Sequence, residues 1–224
     1  MQPEVEAAIG SRRSIRGFTD QAVPRETVEK ILAVSSRAPS MTNTQPWRVH
    51  VLTGPARARM CAEILAAHEA GEQRTIEYDY YPKSWKSPYI ERRRQIGWAL
   101  YGLLGIGKGD REATAEQAGR NYNFFGAPVG MIFTIDRELG LGSWLDIGMF
   151  LENIMIAARA SGLETCAQAA FANYHEIIRK HLPIPANELV VCGLALGHAD
   201  PTEKANALVS PREPVAAFAE FHDV

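Results

Sequence analysis

Apolar positions along the chain fall into helical and strand periods that alternate from one end to the other. Residues 3 to 10 fit a short helix that stops near Gly10. A second helix opens at Pro24, with Glu26 in its first turn where a negative charge is favoured. It carries Val28, Ile31, Leu32 and Ser35 on one face and is expected to end before Pro39. From Trp47 to Leu52 the period becomes two, with Trp47, Val49 and Val51 on one side and Arg48 and His50 on the other, as in a strand. Pro55 starts a helix with Met60, Ile64 and Leu65 inward, and a longer one is expected from about Tyr89 to Leu104. Residues 108 to 119 read as a polar segment, and Val129 to Ile135 as an apolar strand. Ser143, with Asp146 three positions on, resembles a capping box opening a helix on which Ile147, Phe150, Leu151, Ile154, Met155 and Ala158 repeat, with its end near Ser161. Leu163 to Gln168 suits a short strand, 174 to 181 a short helix, and Glu188 to Leu196 a buried strand.

Two stretches break the periodicity. Residues 75 to 90 crowd Tyr78, Tyr80, Tyr81, Trp85 and Tyr89 around Pro82 and Pro88. Beyond Gly197, Pro201, Pro211 and Pro214 forbid a long helix, so the extension of about 198–224 is expected to lie along another surface, such as a partner subunit. No repeat or linker divides the chain. The pattern predicts one α+β domain over residues 1–224, a central sheet covered by helices.

Composition narrows the field. With 46% apolar and 22% charged residues the chain can bury a core, which excludes a disordered protein. Twenty-four Lys and Arg against 26 Asp and Glu leave a formal charge of -2, which argues against nucleic-acid binding by bulk electrostatics. Cys61, Cys166 and Cys192 make a poor disulfide framework and read as small hydrophobes in a reducing compartment. The first ten residues contain Glu4 and Glu6 and do not read as a signal peptide. No run of about 18 apolar residues suggests a membrane span. A cytoplasmic location is expected.

Several motifs fail on inspection. Gly102, Gly105 and Gly107 follow a helix, in the wrong order for a dinucleotide loop. His175 and His181 are six apart, and with no HExxH or CxxC a metal site is not expected. Ser143 lacks the flanking glycines of a nucleophile elbow. His198 follows a strand end, a usual place for a site residue, but stands alone. Arg92, Arg93 and Arg94 suit either a solvated helix start or an anion contact.

Two segments carry stronger chemistry. In Arg12-Arg13-Ser14-Ile15-Arg16, a compact group of guanidiniums can grip a phosphate, with Ser14 as an added donor; a solvated basic turn is the plain alternative. In Pro39-Ser40-Met41-Thr42-Asn43-Thr44-Gln45-Pro46-Trp47, amides and hydroxyls can meet the edge of a planar heterocycle, and Trp47 is either core or platform. Together, and in this order and spacing, the two segments resemble the nitroreductase family of flavoenzymes. The resemblance continues through Ala127-Pro128-Val129, the helix after Trp144, Gly162 to Cys166, Val191 to Gly197 and Arg212. The insert at 78 to 89 and Phe124-Phe125-Gly126-Ala127-Pro128 resemble the nitrobenzene and nitroaromatic reductase branch.

That resemblance implies an α+β sandwich with a mixed sheet, forming an intertwined homodimer with FMN at the interface. By matching position, Arg12, Arg13, Ser14, Arg16 and Arg212 would hold the FMN phosphate and ribityl chain. Pro39, Ser40, Met41 and Asn43 would approach from the other subunit, and Ala167, Gln168, Ala169 and Ala170 would lie beside the ring. Where many members have Pro the chain has Ala167, and it has Ala169 where others are polar, so backbone groups must serve the ring edge. Ser210 replaces a lysine found in some members. The implied activity is reduction of a small nitroaromatic by NADH or NADPH through FMN, with ene reduction, dehydrogenation or dehalogenation as alternatives on the same scaffold, and a non-catalytic flavin-binding protein as another. No protein nucleophile, nucleic-acid partner or membrane partner is implied. Tyr81, Trp85, Phe124 and Phe125 are candidate pocket walls, or else satellite core.

Overall fold

The computed structural model describes residues 2–222; Met1, Asp223 and Val224, at the ends of the expected domain, lie outside them. Seven helices, α1 (Pro3–Ser11), α2 (Arg25–Ser35), α3 (Gly54–Glu69), α4 (Tyr89–Leu104), α5 (Arg111–Gly119), α6 (Leu141–Ala160) and α7 (His175–His181), surround four strands. The strands are β1 (Arg48–Leu52), β2 (Val129–Asp136), β3 (Glu164–Gln168) and β4 (Glu188–Gly197). The sheet order is β1-β2-β4-β3, and all three pairings are antiparallel. A parallel component comes from an isolated bridge, Ser14 to Thr165, on the outer side of β3.

All ten residues of β4 are buried, because the strand is central and covered on both faces. One face packs Ile132, Val190 and Ala195 against Met60 and Ile64 of α3 and Ile178 of α7. The other packs Met131, Phe133, Leu194 and Leu196 against Val28 and Ile31 of α2 and Ile147, Phe150 and Ile154 of α6. Trp47 belongs to this second layer: its ring stacks on Phe150 at 4.6 Å, so it is core rather than platform. An 18-residue window of α6 reaches a mean hydropathy of 1.2, enough by length and composition for a bilayer span; the helix instead lays its apolar stripe on the sheet.

Two expectations are corrected. Residues 108 to 119 are not merely a polar connection. Asp110 caps α5, its carboxylate accepting the Ala113 N–H at 3.0 Å, but only Gln117 and Gly119 of this helix are buried, so no apolar stripe announced it. Ser143 and Asp146 do not cap α6. The helix begins at Leu141 after Gly140, and both side chains are buried inside it. Asp146 serves the neighbouring loop instead, accepting the Met41 N–H at 3.2 Å.

Candidate functional site

The segment after α1 leaves helical geometry at Arg12 and runs extended beside β3. The Ile15 N–H donates to the Thr165 carbonyl at 3.0 Å, which ties the arginine-rich segment to the outer edge of the strand. This brings Arg12, Arg13 and Arg212 together with Arg159, from the last turn of α6, around a cavity of about 530 Å³. Arg16 follows on the same segment, its Nη1 donating to the Ser14 carbonyl at 3.1 Å. Two carboxylates reach these guanidiniums: Glu152 pairs with Arg12 at 3.4 Å and Glu164 with Arg159 at 2.9 Å. Burial pushes the Glu164 carboxyl up, against the pull of Arg159, Arg13 and Arg12. Among the described residues Arg13, Arg16 and Arg212 have no ion-pair partner; Arg212 turns on Ser210 and Pro211, donating to the Ser210 hydroxyl at 2.7 Å. Four guanidiniums line this cavity against two carboxylates, which makes a place for an anion.

β3 is an edge strand, so one row of its backbone groups has no strand to pair with. The Thr165 carbonyl faces outward to Ile15, and the two-residue period of a strand turns Ala167 to that same open side. Thr165 and Ala169 are roughly 13 Å apart along the chain, at about 3.3 Å per residue. Beyond Thr165, whose edge position Ile15 takes, Ala167, Gln168 and Ala169 face Trp144, Tyr78 and Tyr80 around a groove of about 600 Å³. Gln168 is 3% exposed; its Nε2 donates to the Asn121 carbonyl at 2.7 Å, and its Oε1 has no partner among the described residues. Ala170 lines a second chamber of about 340 Å³, which shares Tyr78, Asp79, Tyr80 and Ala169 with the groove and includes Tyr81.

Pro39, Ser40, Met41 and Asn43 border neither the groove nor the arginine cavity of their own chain. Their loop sits over the start of α6 with Met41 59% exposed and Thr42, Asn43 and Gln45 in left-handed conformations; the Ser40 hydroxyl accepts the Gln45 N–H at 3.0 Å. Trp85 lies with Tyr81 under the Arg93 guanidinium, 5.2 Å from the Trp85 centroid, at an exposed corner of the insert. Arg92 pairs with Glu213 at 3.0 Å.

Phe124 and Phe125 line none of the cavities described above. They are 0% and 4% exposed, and Phe124 stacks on Phe171 at 4.4 Å over the sheet. His198 acts through its backbone, its carbonyl accepting the Thr19 N–H at 2.9 Å. The first part of the C-terminal extension also departs from expectation. Residues 199 to 206 fold onto their own chain, through the Phe18–Ala199 bridge and through Asn206, which binds the arginine segment. The three cysteines are free and buried; burial pushes Cys61 and Cys166 up to about 11 and Cys192 up to about 12, so none offers a thiolate.

Arg159 and Asn206 escaped the sequence reading. An arginine in the last turn of a helix is explained by the helix dipole, and an asparagine between prolines by a turn, so neither stands out.

The fold and the sequence have close counterparts. The family model described as Nitroreductase family matches residues 9–198. A 4-nitrobenzoate reductase of Pseudomonas putida is 38% identical over 218 residues, covering 97% of this chain and 95% of the relative. A nitrobenzene nitroreductase of Ectopseudomonas oleovorans is 38% identical over 220 residues, covering 98% and 97%. The crystal structure of the FMN and NADPH-dependent nitroreductase NfnB from Sphigopyxis sp. strain HMH superposes with a TM-score of 0.94 at 33% identity, covering 98% of this chain and 99% of that one. By fold and by sequence over nearly its whole length, the chain belongs to the nitroreductase family and resembles its nitroaromatic and nitrobenzoate reductases.

Proposed function

We propose that the protein is an FMN-dependent oxidoreductase that uses NADH or NADPH to reduce nitroaromatics of the nitrobenzene or nitrobenzoate type. The observation that carries this reading is a guanidinium-rich cavity at one end of the arginine segment that bridges to β3, together with an apolar groove beside Trp144 and Tyr78 at the other end of that strand. The residues fit FMN: surplus positive charge at one end suits a phosphate, and open strand edge and the unpartnered Gln168 Oε1 at the other suit a polar heterocycle rim. When bound, FMN supplies the two-electron chemistry, accepting hydride from the nicotinamide and passing it to the substrate.

The chain's own residues bind and orient. Arg12, Arg13, Arg16, Arg159 and Arg212 hold the phosphate end and bias the site toward negative charge. Backbone groups at Ala167 to Ala170 fix the ring edge without side-chain chemistry. Trp144, Tyr78 and Tyr80 offer flat faces on which a nitroarene can stack. Each turnover consumes NAD(P)H and a proton: the first converts the nitro group to nitroso plus water, and the second adds two hydrogens to give the hydroxylamine. Donor and nitroarene use one groove in turn, which gives ping-pong kinetics.

A homodimer is part of this reading. Leu141, Leu145 and Met149 form an apolar row on α6, 85%, 72% and 39% exposed, and α4 carries no buried residue. A second subunit covering these surfaces would bring Pro39, Ser40, Met41 and Asn43 to the neighbouring flavin, and residues 209 onward would pack against it. The reduced thiols agree with a cytoplasmic enzyme.

The test is anaerobic stopped-flow of flavin absorbance. The purified protein is reduced with NADH or NADPH and mixed with nitrobenzene, 4-nitrobenzoate or an enone. Rapid bleaching followed by rapid recovery with a nitroarene is the expected result. Recovery with the enone alone would move the activity to ene reduction, and a protein that takes up no FMN would overturn the reading.

A further inference from the structure

We infer that Asn206 is a positioning residue for the phosphate of the bound flavin, acting through the backbone of the arginine segment; this rests on the function proposed above. Its side chain makes three bonds to backbone that the sequence places far apart. Asn206 Oδ1 accepts the Arg16 N–H at 2.7 Å, and Nδ2 donates to the carbonyls of Gly17 at 2.8 Å and Asp200 at 3.0 Å. Its own carbonyl accepts Arg13 Nη1 at 3.2 Å. One residue thus holds the arginine segment on both sides of Arg16 and aligns the Arg13 head group.

The surroundings keep Asn206 in place. It lies in a 3-10 turn, Lys204–Ala207, capped by Glu203, whose Oε1 accepts the Ala205 N–H at 3.0 Å. The other oxygen of Glu203 binds Arg120 Nη2 at 2.6 Å, and the same nitrogen donates to the Arg16 carbonyl at 3.0 Å. The Asp200 N–H also donates to the Gly17 carbonyl, at 3.0 Å.

The chemistry requires such a brace. Guanidiniums gathered to meet one anion repel each other until the anion arrives, so an extended, unbraced segment would splay. The brace must also be neutral. A carboxylate at this position would pair with the arginines and compete with the phosphate, and it would have no N–H for the Gly17 and Asp200 carbonyls. Asn supplies one acceptor and two donors without charge, and all three are used here.

The test compares FMN with riboflavin, which carries the same ring and ribityl chain without the phosphate. The full-length protein is freed of flavin, and each ligand is titrated by fluorescence into wild type and Asn206→Ala. FMN affinity is expected to fall about tenfold in the variant while riboflavin affinity stays within about twofold. An equal loss for both flavins would mean general damage to the fold, and an unchanged FMN affinity would remove the role; either overturns the inference. If Asn206→Ala does not fold, Asn206→Ser, which keeps a hydroxyl for the Arg16 N–H, carries the same comparison with about a threefold expected loss of FMN alone. Wild type that binds neither flavin would overturn the proposed function itself, whereas wild type that prefers FMN by a ratio the variant retains would overturn only the part given to Asn206.

Discussion

At Gly17 the arginine segment meets the returning tail with no room to spare. A Cβ built there would overlap Cβ and Cγ of Glu203, the residue that caps the turn holding Asn206. Gly17→Ala is expected to cost about 1–3 kcal/mol by overpacking and to weaken FMN retention with it, as read by thermal unfolding and flavin absorbance. Phe124 shows the opposite problem, a large side chain given its space by glycine. Its ring occupies the volume that a side chain at Gly130 would need, and Phe171, stacked on it, does the same at Gly193. Phe124→Ala is expected to cost about 3–5 kcal/mol in denaturant titration and to slow reduction by nicotinamide and oxidation by nitroarene alike, because it empties core rather than a pocket. An aromatic pair beside a proline looks the same in sequence whether it faces a ligand or a sheet. What decides it here is two strand glycines lying outside that segment, and a local motif does not contain them. The arginines were legible for the contrary reason, since clustered charge announces itself within five residues. Arg12→Ala tests that reading directly: FMN occupancy is expected to drop well before the melting temperature does, and unchanged occupancy would remove Arg12 from the cradle.

Elements with a continuous apolar stripe could be read from sequence, and those held by polar bonds could not. α2, α6 and β4 were placed to within a few residues because burial writes a period into them. α5 exists through its Asp110 cap and had no stripe to read. The insert after α3 is likewise pinned by polar groups. Glu77, with a side chain only 7% exposed, accepts the Val190 N–H at 3.0 Å, pairs with Arg137 and with Arg179 at 3.3 Å, and has His175 Nδ1 at 3.6 Å. The next residue, Tyr78, donates to the Val191 carbonyl and packs edge-on against Trp144 at 4.6 Å. Burial alone would raise the Glu77 carboxyl, but the Val190 N–H, Arg137, His175 and Arg179 outweigh it and hold it below its ordinary range. Its contribution is therefore complete above the unfolded value of about 4.3 and is lost as pH falls through the lower folded value. The insert should stay protected from hydrogen exchange at pH 5 and pH 7 alike and open on stronger acidification. Glu77→Gln, which removes the charge, should cost about 2–4 kcal/mol and expose the insert at neutral pH as well.

For the molecule as a whole, the succession of helices and strands was readable, but the strand order β1-β2-β4-β3 was not, since β1 meets β2 across three intervening helices and β2 meets β4 past the strand between them in sequence. The same holds for the site, whose arginine cavity draws on α1, α6 and the tail. The exposed row Leu141, Leu145 and Met149 predicts a sedimentation mass twice that of one chain. Leu145→Glu should yield monomers that lose FMN, and a monomeric wild type that retains FMN would dismiss the dimer. The bonds from Asn206 to Arg16 and Gly17 span 190 and 189 positions. A chain leaving the ribosome presents its arginines long before their brace has been made. Until Asn206 has emerged, the nascent protein would carry a loose cationic arm open to any passing anion, and only the arrival of this brace would turn it into a selective receptor.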